Sequence, residues 1–176
     1  MTRAQLEHVL RAAGAITGTR RFIILGSQAI LAATSNPPVE LTGSMEVDTY
    51  PEDEPEKADL VDGTIGELSP FHETYGYYAH GVGPETAILP RGWRSRVLPV
   101  ESPATQGVQG LCIAPVDLAI SKLIAGREKD RAFVRVMLRQ GLVTKAQIDQ
   151  VLGELTPEQA DRVRRELCQC PRETPQ

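Results

Sequence analysis

A chain of 176 residues, 41% hydrophobic and 24% charged, is long enough to bury a sizeable core and has the make-up of an ordinary globular domain with at most a small helical appendage. Aromatic residues are only 5%, so aliphatic side chains must fill that core. No apolar run is long enough to cross a bilayer, and Glu7, His8 and Arg11 break any signal-peptide pattern, so no membrane role is expected. The net charge of -4 hides an asymmetry: residues 46–73 carry ten acids and one base, Lys57, whereas residues 122–145 carry seven bases and two acids. Two readings fit, a pair of solvated faces of opposite sign or a cation site together with an anion site. Three cysteines, Cys112, Cys168 and Cys170, without a His or Cys cluster around them, point to a reducing, cytoplasmic setting and away from structural zinc.

In chain order, Leu6, Val9, Leu10, Ala13 and Ile16 recur at helical spacing and predict an amphipathic helix that ends within residues 14–18. Residues 22–25 form a continuous apolar run, a buried strand. Gly26-Ser27 then turns the chain into a helix over residues 28–33, closed by Asn36-Pro37-Pro38. Residues 45–50 read as a second strand, ended by Pro51. Asp53-Glu54-Pro55-Glu56 has the form of a helix start, with a capping Asp, and that helix should reach residue 68. Ser69-Pro70 opens a short one. Residues 75–104, rich in Gly, Pro and Tyr, predict antiparallel strands at 77–82, 86–89 and 94–100, and residues 111–114 a last strand. Pro115 starts a helix through Val116, Ile120, Leu123 and Ile124, which Gly126 allows to bend before a second stretch over residues 127–140 and a C-cap glycine, Gly141. Thr144 with Gln147, and Thr156 with Gln159, have capping-box spacing and predict two closing helices. The tail beyond Cys170 reads as disordered.

Three constellations could carry chemistry. Gly26-Ser27 at a strand-to-helix turn lets a phosphate approach the backbone, although such turns also carry Gly-Ser for conformational reasons alone. Glu46-x-Asp48 lies on a strand, so both carboxylates point to one face, with Cα atoms about 6.5–7 Å apart. Two aligned like charges suit a hard cation, Mg²⁺ with a nucleoside triphosphate in particular; the plain alternative is an exposed edge strand. On a continuous helix, Lys122, Gly126 and Lys129 would fall in one row with Asp130 beside them, either an anion-facing set or a solvated basic face. His8, His72 and His80 show no ligand spacing. His72-Glu73 beside Tyr75 could wall a site, and Arg91-Gly92-Trp93-Arg94 could stack on a base, but surface histidines and a buried Trp among exposed arginines explain both as well.

Taken together, Gly26-Ser27, Ser44-x-Glu46-x-Asp48 and the run from Lys122 to Asp130 resemble the polymerase-β-like nucleotidyltransferase superfamily, and within it the small bacterial AbiEii-type, toxin-like enzymes. The resemblance spans residues 21–141 and implies an α/β (α+β) nucleotidyltransferase fold, a mixed twisted sheet flanked by helices with a helical C-terminal part. On it, residues 1–113 are the nucleotidyltransferase core and residues 114–176 a helical region packed on that core in one compact domain. It implies Mg²⁺ held by Glu46 and Asp48, nucleotide contacts from Gly26, Ser27, Ser44, Lys122 and Arg127, and Asp130 positioning Lys122 or the acceptor. It implies an NTP donor, an RNA (tRNA included) or protein acceptor, and an antitoxin partner. Glu46 stands where Asp is usual and no third strand acid is obvious, Glu101 and Asp130 being the candidates. A catalytically silent protein of this fold that binds nucleotide or a protein partner is the alternative.

Overall fold

A computed structural model describes residues 1–170 of the chain; the expectation for the tail lies outside them. Helix α1 (Arg3–Thr17) starts at Thr2 with a reciprocal Thr2 and Gln5 capping box and stops at Gly18, which takes the left-handed conformation (φ 72°). Its buried stripe is Leu6, Val9, Leu10 and Ala13. Then follow β1 (Arg21–Ile24), a 3-10 helix Ser27–Ala32, α2 (Val39–Thr42), β2 (Glu46–Pro51), a 3-10 turn Pro55–Lys57, α3 (Ala58–Ile65), α4 (Pro70–Tyr75), β3 (Tyr78–Gly81), β4 (Leu98–Val100) and β5 (Gln109–Cys112). The strands make one sheet in the order β3-β2-β1-β5-β4. β1 pairs antiparallel with β2 and parallel with β5, β2 pairs parallel with β3, and β4 antiparallel with β5. The expected mixed sheet with flanking helices and a helical C-terminal part is therefore present.

The chain forms two compact units. One comprises Met1–Thr86 and Val97–Ile113, and the other Ala87–Arg96 and the described residues from Ala114 to Cys170. In the first, α1 and α3 pack on each other, and α3 covers β2 and β3. Phe22, Ile23, Ile24, Val47 and Leu111 are buried in this unit, as aliphatic filling requires. One aromatic cluster forms: His8, Phe71, Tyr75 and Tyr77 pack with ring centroids 4.6–6.1 Å apart, and His8 Nδ1 lies 2.8 Å from the Tyr77 hydroxyl. In the second unit α5 (Pro115–Ala125) packs on α6 (Glu128–Arg139), α7 (Lys145–Val151) and α8 (Pro157–Cys168). Leu118, Leu123, Val134, Met137, Ile148 and Val163 are buried there, and both expected capping boxes close as hydrogen-bonded pairs.

Several local expectations are corrected. The segment after Gly26 is 3-10 rather than α-helical, with the Ala29 N–H on the Gly26 carbonyl and the Ala33 N–H on the Ile30 carbonyl, both at 3.0 Å. Residues 86–89 form no strand, and of residues 94–100 only Leu98–Val100 pairs; Trp93–Arg96 is a 3-10 turn. β3 is parallel to β2, not part of an antiparallel meander, because α3 and α4 supply the crossover a parallel pair needs. The N-terminus of α3 has no side-chain cap from Asp53, and the helix stops at Gly66. Gly126 is left-handed (φ 68°) and caps α5 with its N–H on the Lys122 carbonyl, so Lys122, Gly126 and Lys129 share no continuous helix.

Candidate active site

In the first unit, alternation along β2 buries Val47 and Thr49 and leaves Glu46 and Asp48 half-buried on the other face. The Thr49 hydroxyl donates to the Ile23 carbonyl at 2.9 Å and fixes that alternation from the buried side. The parallel register then sets Tyr78 opposite Glu46 and His80 opposite Asp48. The Tyr78 hydroxyl donates to Glu46 Oε2 at 3.2 Å, and His80 Nδ1 lies 3.0 Å from Asp48 Oδ1. Burial pushes the Tyr78 phenol up to about 12, helped by the charge and hydrogen bond of Glu46 and by Glu67 and Asp48. The phenol therefore stays a donor at neutral pH, in a field set by acids.

Gly26 owes its identity to Asp48. A Cβ at position 26 would sit 1.9 Å from Asp48 Oδ2, so any other residue would collide with the carboxylate. The Leu25 N–H donates to the Asp48 carbonyl at 3.0 Å, extending the pairing of the first two strands to the acid itself. Ser27 is the first residue of the 3-10 helix that Gly26 precedes. Gln28, next to it and 1% exposed, donates through Nε2 to the Ser44 carbonyl at 2.9 Å. The Ser44 hydroxyl accepts the Glu46 N–H at 3.2 Å, so it shapes the entry into the acid strand.

The second unit holds two ionic clusters. Asp130, 1% exposed, receives Lys122 Nζ at 3.3 Å and Arg127 Nε at 2.5 Å. Burial by itself would raise the Asp130 carboxyl, but the Arg127 hydrogen bond and the charges of Lys122 and Arg127 outweigh it and hold the group below the usual carboxylate range. Lys122 Nζ also lies 4.3 Å from the centroid of the Phe133 ring. In the other cluster Arg96 grips fully buried Asp117 with two bonds, 2.7 and 3.1 Å, and reaches both Glu154 oxygens at 2.9 Å. The Gly92 N–H donates to Glu154 at 2.9 Å as well, tying the segment before Arg96 to this unit. Arg94 stacks at 4.5 Å on Trp93, so that pair is already satisfied within the protein.

Among the described residues no group of three or more His, Cys, Asp and Glu side chains is arranged to hold a metal ion. Glu46 and Asp48 are the donors that a hard divalent cation could use. Two carboxylates with the remaining positions filled by phosphate oxygens and water is a set Mg²⁺ accepts.

Residues 4–164 match a protein family described as a nucleotidyltransferase of unknown function (DUF6036). The chain belongs to this family. No curated protein and no solved structure gives a significant match. The resemblance to nucleotidyltransferases thus holds at the level of the superfamily.

Within the first unit the structure brings Gly26, Ser44, Glu46 and Asp48 into one neighbourhood. It brings Lys122, Arg127 and Asp130 together in the helical unit. Glu101 follows β4 at the far edge of the sheet, three strand spacings or ~14 Å from β2, and accepts from Gln109 at 3.0 Å. It is no third acid for the pair. Tyr78 and His80 are the partners that sequence reasoning missed. Their i, i+2 spacing copies that of Glu46 and Asp48, but it becomes a signal only once β3 is known to lie parallel beside β2.

Proposed function

We propose that this protein is a Mg²⁺-dependent nucleotidyltransferase that moves a nucleotidyl group from an NTP to an acceptor hydroxyl on RNA, tRNA included, or on a protein side chain. The observation that carries the reading is the acid pair: Glu46 and Asp48 share one face of β2, each is held by a side chain from the neighbouring strand, and the Asp48 carboxylate packs against Gly26 where a β-carbon would not fit. Membership of a nucleotidyltransferase family supports it.

Glu46 and Asp48 would hold the metal. When bound, it would neutralise charge on the triphosphate and favour attack at the α-phosphorus. Gly26 and Ser27 offer backbone and hydroxyl to a phosphate, with Ser44 fixing the strand that carries the acids. Within the second unit Asp130 orients Lys122 and Arg127. The acceptor oxygen bonds the α-phosphorus as the bridge to the β-phosphate breaks and pyrophosphate leaves, the hydroxyl proton passing to solvent. The AbiEii-type resemblance extends the proposal to a toxin with an antitoxin partner in the cytoplasm.

A second reading, a silent nucleotide-binding member, is favoured by the want of a third acid among the described residues. Incubation with Mg²⁺, labelled NTPs and total RNA separates the two. Label transfer that Asp48→Ala reduces on the order of a thousandfold is expected, the scale of several kcal/mol of lost charge stabilisation. Transfer that persists in Asp48→Ala removes the assignment, and metal-independent nucleotide binding without transfer selects the silent reading.

A further inference from the structure

Glutamate at position 46 has one more torsion than aspartate, so its carboxylate can occupy several staggered positions. A metal ligand free to rotate in this way must be ordered each time the ion binds. The structure contains a device that removes that freedom.

Tyr78 stands in register with Glu46 on the parallel neighbour β3, and its hydroxyl holds Oε2 at 3.2 Å. That bond fixes the outer torsion and leaves Oε1 for a ligand. The tyrosine is itself held from several sides. Its backbone N–H donates to the Met45 carbonyl at 3.0 Å, just before the acid strand. Its ring packs on His72, with centroids 4.6 Å apart. The ring of His72 is tied in turn, because Nδ1 accepts the Leu68 N–H at 3.1 Å. Leu68 takes a left-handed φ of 61°, which a β-carbon disfavours, so this contact is made against a local backbone preference. A chain of contacts thus runs from the Leu68 turn through His72 and Tyr78 to one oxygen of Glu46.

We infer that Tyr78 is a positioning residue that locks the Glu46 carboxylate, and that this lock is what allows glutamate to serve as the first metal-binding acid. The inference rests on the acid-pair reading given above. Hydrogen bonds to a ligating carboxylate set its direction, and losing one costs roughly 10–100-fold in metal affinity or activity.

The test is a double-mutant cycle on metal binding. Mn²⁺ affinity in the presence of α,β-methylene-ATP is read from the electron paramagnetic resonance signal of free Mn²⁺. Tyr78→Phe keeps the ring on His72 and removes only the hydroxyl, so folding should survive, as a thermal melt checks. It should weaken Mn²⁺ binding roughly 10–100-fold. In a Glu46→Asp background the shorter side chain lacks the extra torsion and does not reach the phenol, so Tyr78→Phe should change affinity less than about twofold. Tyr78→Phe binding like wild type overturns the inference. So does an equal loss in both backgrounds, which marks a general structural role, and so does a Glu46→Asp variant that no longer binds. A wild-type protein that binds no Mn²⁺ overturns the acid-pair reading itself, and this inference with it, an outcome visible before any substitution at Tyr78 is made.

Discussion

The acid strand of the first unit and the ionic clusters of the second handle carboxylates in opposite ways. Around Asp130 and Asp117, Lys122, Arg127 and Arg96 bring cations within 2.5–3.3 Å, and Asp130 is held below its ordinary range as a result. Glu46 and Asp48 receive a phenol and an imidazole from the neighbouring strand, and burial, with the nearby acids adding to it, pushes that phenol up to about 12. A carboxylate neutralised from within serves the fold. Carboxylates oriented by polar side chains in an acidic field retain the capacity to bind a cation from outside.

Substitutions on either side can break or sharpen that contrast. The largest effect on stability is expected from Arg96→Ala, which strands the Asp117 carboxylate in the core. Loss of one partner of a buried pair costs about 3–5 kcal/mol, to be read from the denaturant midpoint. A shift under about 1 kcal/mol would mean that the second unit does not depend on self-neutralisation. Gly26→Ala should show the reverse profile. Its methyl group would press on Asp48 Oδ2, so Mn²⁺ affinity should fall roughly 10–100-fold while the fold persists. Unchanged affinity would dissociate Gly26 from the acid pair.

The smallest effect is expected from Asp130→Asn, about 1 kcal/mol at neutral pH. Its value lies in the pH dependence. The folded-state pKa of Asp130 is lower than that of the unfolded chain, so its stabilisation is present above the unfolded value of about 4 and lost as pH falls through the folded value. The stability difference between wild type and variant should thus be flat near neutrality and shrink below about pH 4. A difference that stays constant into acid would show that Asp130 is not held ionised by Lys122 and Arg127.

Much of the fold was legible because local chemistry dictated it. Thr2 with Gln5, Thr144 with Gln147 and Thr156 with Gln159 form the bonds their spacing calls for. The strand carrying Glu46 and Asp48 alternates as read. What escaped was non-local. The neighbour that requires glycine at position 26 is a carboxylate that reaches it from another strand. The direction of β3 depends on two intervening helices and on which edge of β2 is vacant, which no short window of residues contains. Without that direction Tyr78 and His80 had no visible partners. Lys122 and Asp130 were read together correctly but for the wrong reason: they meet across a helix-breaking turn at Gly126, not along one helix face.

The aromatic cluster of the first unit has a consequence for how the gene can vary. Tyr77 is drawn inward against His8, Phe71 and Tyr75, directly before β3 begins. Because side chains alternate along a strand, committing Tyr77 to the interior commits Tyr78 and His80 to the acid face. The cluster works as a phase marker for the strand. A single codon gained or lost between Gly76 and Tyr78 would leave the hydrophobic packing with a residue to accept but would turn both acid partners away. Length between α4 and β3 should therefore be far less free to drift than the identity of the residues around it.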